Sequence, residues 1–193
     1  QFNPNFEIVF REMNLSDIMR LLEIGQLEFV FGPMDLKERS DLIAVQLQEE
    51  PLVFISKGSF DNQQNANKTV LLKDITDEVF VMVPDACGLA KATRSVFQRH
   101  RVKLKEYSGT AMSYRVLQEW AELGIGAAIL PRSKVTKGIG LQIQLKRSGL
   151  DLAMMSYQAC WNKKIIASPQ TMDLGKYLTE VGPSIASGLH TPA

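Results

Sequence analysis

The chain has 193 residues, 45% of them hydrophobic, and its 22 basic residues nearly balance 21 acidic ones. This length suits one large domain or two small lobes, and the even charge argues against a surface that grips nucleic acid, which needs a clustered basic excess. No apolar run approaches the roughly 18 residues of a membrane span, and the N-terminus lacks the basic region and apolar core of a secretion signal.

The cysteines and histidines are too few and too scattered to indicate a metal or redox centre. Cys87 and Cys160 have no CxxC partner, which favours reduced thiols in a cytoplasmic protein over a disulfide or redox-sensing pair. His100 and His190 are the two histidines, fewer than a metal site or a histidine-based triad needs. We therefore expect no metal, no cofactor and no catalytic residues.

The N-terminal part of the chain has the pattern of a strand, a helix and a second strand. Phe6–Met13 is apolar and β-branched, which predicts a largely buried strand. In the helix that follows, Asn14 is the expected N-cap and Gly25 suits the left-handed position after the last turn. Leu27–Pro33 is the second predicted strand, and the short links predict a right-handed crossover in a parallel sheet.

The next segment has strand patterns on both sides of a proline. Leu42–Ser59 is expected to form two strand runs, separated at Pro51. Ser59–Lys68 is polar and rich in Asn and Gln, which predicts an exposed loop where the chain could pass from one lobe to another.

The pattern then restarts as alternating strands and helices. Val79–Pro84 is a buried-type strand, and Asp85 is expected to cap the following helix. Val102–Gly109 is the next strand, and the helix after it is expected to turn four side chains inward. Those side chains are Met112, Val116, Trp120 and Leu123.

The C-terminal part predicts three more strands and a final helix. The strands are "GAAILP", "GLQIQL" and "LAMMSYQACW", with a turn at Ser148-Gly149. The final helix is expected to start with Ser168 as N-cap and Pro169 at its first position, and to end at Gly182.

Two glycines in "EWAELGIGAAILP" raise the question of what approaches the backbone there. Gly124 suits the positive φ that follows a helix, and Gly126 suits a strand start where a side chain would collide with a neighbouring strand or a bound molecule. Ligands collect at the carboxyl ends of parallel strands, near helix N-termini, and Ser108–Thr110 is predicted to be such a corner. Turn chemistry alone is the alternative explanation for both glycines.

Three blocks, in order, resemble the effector-binding domain of LysR-type transcriptional regulators. "DIMRLLEIGQLEFVFGP" resembles that family's helix-strand unit, "QEEPLVFISKGS" its crossover strand, and "VLQEWAELGIGAAILP" its "aGxGiaxlP" segment. The similarity extends from about Phe6 to Val181 by the pattern of elements.

The resemblance implies an α/β fold with two Rossmann-like lobes joined by two crossover strands, as in type 2 periplasmic binding proteins. Lobe I would comprise residues 1–57 and 158–182, lobe II residues 58–157, and residues 183–193 a flexible tail. The family's domain normally opens with a strand and a helix that this chain lacks. We therefore expect an incomplete piece of a longer protein, whose DNA-binding winged helix-turn-helix lies outside this chain.

The resemblance also implies an effector in the cleft between the lobes. Hydroxyl groups and free helix N–H groups suit a carboxylate or another small anion, and an aromatic side chain could stack on its body. The implied effector-binding residues are Asn14, Ser16, Phe31, Gly32, Pro33, Ser56, Pro84, Asp85, Ser108, Gly109, Thr110, Gly126 and Ala127. As alternatives, Asn14, Ser16 and Asp85 serve only as caps, Phe31 belongs to the core, and Gly32-Pro33 only ends a strand.

These expectations favour a sensor over two other functions. A cytoplasmic regulator of this family would act as a homodimer or homotetramer and reach DNA only through its missing N-terminal domain. The alternative is a solute-binding protein of a transporter on the same fold. An enzyme is the weakest alternative, because Cys87 and His100 fall at opposite ends of one predicted helix and form no nucleophile-base pair.

Overall fold

A computed structural model describes residues 7–34, 39–57, 68–135, 140–146, 151–164 and 169–188, and the chain divides into two units. The first unit comprises Gln1–Gln48 and Ser156–Ala193, and the second comprises Glu49–Met155. Two strands, β2 (Leu42–Ile55) and β8 (Met154–Asn162), each contain one of the points where the chain passes from unit to unit.

The first unit combines two helices with short strand pairing. Its remaining elements are α1 (Leu15–Glu23), β1 (Val30–Pro33) and α4 (Pro169–Gly188). β1 pairs antiparallel with β8, from Val30 opposite Cys160 to Pro33 opposite Tyr157.

The second unit contains most of the strands. Its elements are β3 (Thr69–Leu71), β4 (Val79–Met82), α2 (Gly88–Arg99), β5 (Lys105–Thr110), α3 (Tyr114–Leu123), β6 (Ala128–Pro131) and β7 (Leu141–Gln144). β2 pairs antiparallel with β6 and β7, and β7 pairs parallel with β3. β4 and β5 are parallel, and a parallel bridge from Phe80 to Ala127 joins the residue before β6 to β4. The α/β class is therefore confirmed.

Each unit has its own core. In the first unit Leu22, Val30 and Cys160 share one buried cluster, and the ring of Trp161 lies 5.3 Å from that of Phe29. In the second unit the core runs through the edge-to-face rings of Phe54, Phe80 and Phe97. No helix in the described part of the chain is long and apolar enough to cross a membrane.

The prediction of a buried strand at Phe6–Met13 is wrong for the residues described. Residues 7–13 form no strand, and Val9 and Phe10 are 70% and 79% exposed. Strand composition alone does not make a strand, which also needs a neighbour to hydrogen-bond. No ladder among the described residues pairs with this segment, so the parallel strand-helix-strand unit expected there does not form.

The prediction of two strand runs around Pro51 is also wrong, since β2 is continuous through the proline. The ladder with β6 begins at Leu52, opposite Pro131. The N–H that Pro51 lacks is therefore not needed by that ladder, which is how a proline is tolerated within a strand.

The helix starts of the second unit lie further along the chain than predicted. α2 begins at Gly88 with Cys87 at the N-cap position and no side-chain cap, so Asp85 does not cap it. Asp85 instead pairs with Arg94 at 2.7 Å. Thr110 ends β5 rather than starting a helix, and Ser113 caps α3 by accepting from Val116 N at 3.3 Å.

This shift moves the buried face of α3. Leu117 and Ala121 face the core. Of the four residues predicted to point inward, Val116 and Trp120 are half-buried, whereas Met112, which precedes α3, and Leu123 are 80% and 70% exposed. The predicted inward face is one residue out of register with the observed one. Because successive side chains of a helix are about 100° apart, such a shift turns residues of the predicted face towards solvent.

The last helix does not end at Gly182 as predicted, but continues to Gly188. A Cβ at Gly182 would overlap Val45 Cγ1 and approach Gln46 O, and one at Gly175 would lie 3.3 Å from the Trp161 ring. Both glycines therefore permit close packing of α4 within the first unit, whereas the sequence analysis took Gly182 as the end of the helix. The predicted cap Ser168, the turn Ser148-Gly149 and nearly all of the loop Ser59–Lys68 lie outside the described residues.

Other local predictions are confirmed. Asn14 Oδ1 accepts from Asp17 N at 2.9 Å and caps α1. Gly25 and Gly124 have φ values of 73° and 75°, as expected for residues that follow a helix. A Cβ at Gly126 would lie 2.7 Å from Val79 O, so a neighbouring strand is what approaches the backbone there.

Candidate functional site

β4, β5 and β6 run in the same direction, because β5 pairs parallel with β4 and Ala127, just before β6, forms a parallel bridge with Phe80. Their carboxyl ends therefore lie at one edge of the second unit. Three segments follow these strands there: Pro84–Cys87, Ala111–Tyr114 and Arg132–Lys134. We call them together the carboxyl edge. Ala111 N donates to Met82 O at 2.9 Å, which keeps the ends of β4 and β5 level. In parallel sheets this is where ligands bind.

Two helices begin side by side at the carboxyl edge. Cys87 Sγ, before α2, lies 3.5 Å from the hydroxyl oxygen of Tyr114, the first residue of α3. Burial, and then the hydrogen bond with Cys87, raises the pKa of the Tyr114 phenol, so it stays protonated. The first N–H groups of a helix lack partners within it, and two such ends at one place favour an anion.

The end of β5 is irregular where three of the predicted site residues lie. Phe80 pairs with Glu106 but Met82 pairs with Thr110, so β5 has two more residues than β4 over this interval. Within the bulge, a Cβ at Gly109 would lie 2.8 Å from the Tyr107 ring. Ser108 and Thr110 are exposed, and bulges of this kind commonly redirect side chains beside binding sites.

The one acidic side chain of the segment Pro84–Cys87, Asp85, forms an ion pair with Arg94. Arg94 binds Asp85 at 2.7 Å and also holds Glu106 through two hydrogen bonds of 2.7 and 2.8 Å. The paired Arg94 guanidinium lowers the pKa of the Glu106 carboxyl. This pairing limits the repulsion that Asp85 would exert on an anion.

The segment after β6 carries functional groups that sequence reasoning missed. Arg132, Ser133 and Lys134 form a 3₁₀ turn directly after Pro131. Ser133 N donates to Glu50 Oε2 at 2.7 Å, and Ser133 Oγ donates to Glu50 Oε1 at 3.0 Å. The signal in the sequence was the position of "RSK" at the end of a predicted parallel strand.

Two predicted site residues lie at the opposite end of their strand. Ala127 is level with Phe80 in the parallel bridge, and Ala127 N donates to Val79 O at 2.8 Å. Gly126 and Ala127 therefore belong to the amino end, away from the carboxyl edge. Ala127 is also buried, at 2% exposure.

The first unit holds five of the other predicted residues. Asn14 and Ser16 are exposed at the start of α1, where Asn14 has a capping role. Phe31 is 43% exposed on β1, and a Cβ at Gly32 would meet no heavy atom within 4 Å. Pro33 ends β1 opposite Tyr157. Ser56, half-buried after β2, belongs to the second unit by the division at Glu49.

The reactive side chains of the described residues are dispersed. Cys87 and His100 flank α2 at its two ends, as predicted. Burial raises the pKa of Cys160 to about 11, which keeps that thiol protonated and unreactive. In the described part of the chain, no group of at least three His, Cys, Asp or Glu side chains could hold a metal ion.

A family model and several solved structures match this fold. The model described as LysR substrate binding domain matches residues 1–183. No curated protein matches the chain. The effector binding domain of QuiR in complex with shikimate has a TM-score of 0.68 and 15% identity, and the match covers 89% of this chain and 79% of that one.

Two further structures have similar scores. The regulatory domain of Synechocystis PCC6803 CcmR in complex with 2-PG has a TM-score of 0.67 and 19% identity, covering 93% of this chain and 85% of that one. The BenM effector binding domain with benzoate has a TM-score of 0.69 and 17% identity, covering 98% and 83%. At these identities the likeness concerns the fold, and it confirms the predicted type 2 periplasmic-binding-protein class.

Proposed function

Because the chain belongs to the LysR substrate binding domain family, we propose that it senses a small anionic metabolite as the effector-binding domain of a LysR-type transcriptional regulator. The observation that carries the ligand class is that α2 and α3 both begin at the carboxyl edge, after the adjacent parallel strands β4 and β5. Two helix N-termini at one edge favour negative charge. The family match favours this function over a transporter's solute-binding protein.

Within the second unit, the ligand would bind at the carboxyl edge. Thr110 and Ser113 supply hydroxyl groups, and Arg132 and Lys134 supply positive charge at the same edge. Arg94 binds Asp85 but is shared with Glu106, so it only partly offsets the repulsion from Asp85. Pro84, Ser108 and Gly109 remain proposed contacts, whereas Gly126 and Ala127 would act only by shaping the strand.

The remaining predicted contacts also stay part of the proposal. In the first unit they are Asn14, Ser16, Phe31, Gly32 and Pro33, and in the second Ser56. Phe31 would cover an apolar face of the ligand, since its ring is 43% exposed.

The proposed regulator is a cytoplasmic homodimer or homotetramer that contacts DNA through a separate winged helix-turn-helix domain. The nearly even charge of this chain, +1, supports a division of labour in which these residues do not bind DNA. The match to full-length BenM supports the same division, since it covers 94% of this chain but 59% of that one. A ligand would act by favouring one of two arrangements of the oligomer.

Calorimetric titration with small acids tests the ligand class. Shikimate, benzoate and 2-PG are the probes, because the matched structures of QuiR, BenM and CcmR contain them. We expect at least one to bind, with an affinity that falls as salt rises. A lack of binding by all three and by other small carboxylates and phosphates at millimolar concentration would contradict the proposal.

Matched variants locate the site. Thr110→Val and Arg132→Gln should each weaken binding by about tenfold, the usual effect of losing a hydrogen bond to a charged group. Arg99→Gln is the control, since it removes the same charge at the far end of α2, which has 12 residues and so spans about 18 Å. Equal binding by Arg132→Gln, Thr110→Val and wild type would place the ligand elsewhere.

A further inference from the structure

We propose that Glu50 is a positioning residue for the ligand: its buried carboxylate holds the turn Arg132–Lys134 in place at the carboxyl edge. This inference rests on the proposed function for its ligand, but the hold on the turn is a property of the protein alone. Glu50 is 6% exposed, and both of its carboxylate oxygens accept hydrogen bonds from Ser133.

The local geometry explains why a side chain takes this role. Leu52 pairs with Pro131 in the antiparallel ladder of β2 and β6, so continuing that register would place Pro51 opposite Arg132 and Glu50 opposite Ser133. The ladder stops at Leu52 and Pro131, so the Ser133 amide has no partner within it. The Glu50 carboxylate then accepts from the Ser133 amide at 2.7 Å, where a backbone carbonyl would otherwise be needed.

The energetics make this link specific. A buried carboxylate is costly unless it is hydrogen-bonded. Here the Ser133 hydroxyl, at 3.0 Å from Oε1, adds a second charge-assisted hydrogen bond to that of the amide. The two bonds constrain the turn in both position and orientation, so Arg132 and Lys134 leave it in defined directions.

The same carboxylate influences the start of α3. The charge of Glu50 is among the smaller causes that raise the pKa of Tyr114, after burial and the contact with Cys87. Glu50 thus lies within electrostatic reach of Tyr114, the first residue of α3, as well as of the turn. Its low exposure and its two bonds to Ser133 argue for positioning rather than for contact with the ligand.

The experiment compares Glu50→Ala with Glu50→Gln in the whole chain. Glutamine can accept from Ser133 N and donate to Ser133 Oγ, so it keeps the geometry without the charge. Amide hydrogen exchange at Ser133 needs no ligand, and we expect it to rise about tenfold in Glu50→Ala and less than about threefold in Glu50→Gln. Affinity for whichever of shikimate, benzoate or 2-PG binds the wild type should fall about tenfold in Glu50→Ala alone.

Each failure has a distinct meaning. Unchanged exchange at Ser133 in Glu50→Ala would overturn the proposed hold on the turn, whether or not any acid binds. Faster exchange without loss of affinity would show that the turn does not serve the ligand. Equal loss of affinity in Glu50→Gln would assign the effect to charge and overturn positioning.

A milder variant covers the case in which Glu50→Ala does not fold. Ser133→Ala keeps the amide bond to Glu50 but loses the hydroxyl bond, so exchange and affinity should both change by about two- to fivefold. If the exchange rate at Ser133 and the affinity for the acid both stayed as in the wild type, the proposal would be overturned. A failure of the wild type to bind any acid would count against the proposed function, while the exchange measurement would still decide the role of Glu50.

Discussion

The two units of the chain contain similar elements but run their strands differently. In the second unit β4 and β5 are parallel, so the helices that follow them begin at one edge. In the first unit β1 pairs antiparallel with β8, and the segment before α1 forms no strand. Strand direction therefore decides where helix N-termini gather. Among the described residues, the second unit therefore has the more concentrated set of groups suited to an anion.

The largest expected effect tests the buried face of α3. Leu117 is 1% exposed, so Leu117→Ala should lower the free energy of unfolding by about 2–5 kcal/mol. Leu22 in the first unit is also 1% exposed, so Leu22→Ala should lower the free energy of unfolding by a similar amount. The two variants together compare the cores of the two units. Met112→Ala is the control and should change stability by less than about 0.5 kcal/mol. Urea unfolding measures all three, and a costly Met112 variant would contradict the exposed position of Met112 before α3.

A second comparison concerns glycines with and without neighbours. Gly126→Ala in the second unit should cost about 1–3 kcal/mol, because the new Cβ would press on the Val79 carbonyl oxygen at 2.7 Å. Gly32→Ala in the first unit meets no heavy atom within 4 Å and should stay within about 0.5 kcal/mol of wild type. Thermal unfolding distinguishes them, and equal losses would show that the approach of the strand is not the reason for Gly126.

A third comparison sets one helix cap in each unit side by side. Asn14→Ala and Ser113→Ala each remove a capping bond and should cost about 1 kcal/mol. The Asn14 bond is 2.9 Å and the Ser113 bond 3.3 Å, so we expect Asn14→Ala to cost more. The reverse order in chemical unfolding would mean that Ser113 has a further role at the carboxyl edge.

The smallest effect is the pH dependence of two exposed ion pairs. Arg94 lowers the pKa of Glu106, so this pair stabilises the fold above the ordinary glutamate pKa and loses that effect as pH falls through the folded value. At pH 7 Glu106→Gln should cost less than about 1 kcal/mol, because the pair is largely exposed. The difference from wild type should fade below about pH 4.

In the first unit, the hydrogen bond from Arg39 lowers the pKa of Asp41 to about 2. Its contribution should therefore persist to lower pH than an unpaired aspartate would allow and disappear as pH approaches 2. Thermal unfolding of Asp41→Asn and wild type between pH 7 and 2 measures this. A difference that grows as pH falls would contradict the assigned direction for either pair.

Much of the second unit could be predicted because its signals are local. Val79–Pro84 and "GAAILP" have the composition of buried strands, and both form strands. Gly124 has the positive φ expected after a helix. The helix starts were harder. Asp85 has a good capping side chain, but α2 begins only at Gly88, and β5 extends to Thr110, so that Ser113 caps α3.

The candidate site was predicted less completely than the fold. Ser108–Thr110 was predicted to lie at the end of a strand, and β5 does end at Thr110. Gly126 and Ala127, in contrast, lie at the amino end of their strand, away from the carboxyl edge. Arg132–Lys134 was missed because a short basic turn has no pattern of its own. Its partner Glu50 is 83 residues away in sequence, so periodicity could not connect them.

The sequence by itself determined the α/β class, the caps at Asn14 and Gly25 and the family resemblance, since these depend on residues that are neighbours along the chain. Only the tertiary structure decided that residues 7–13 form no strand, that Gly182 lies inside a helix and that Glu50 binds Ser133. The physical reason is the same in each case. A ladder, a close approach or a buried hydrogen bond needs a partner from a distant part of the chain, and composition does not identify that partner.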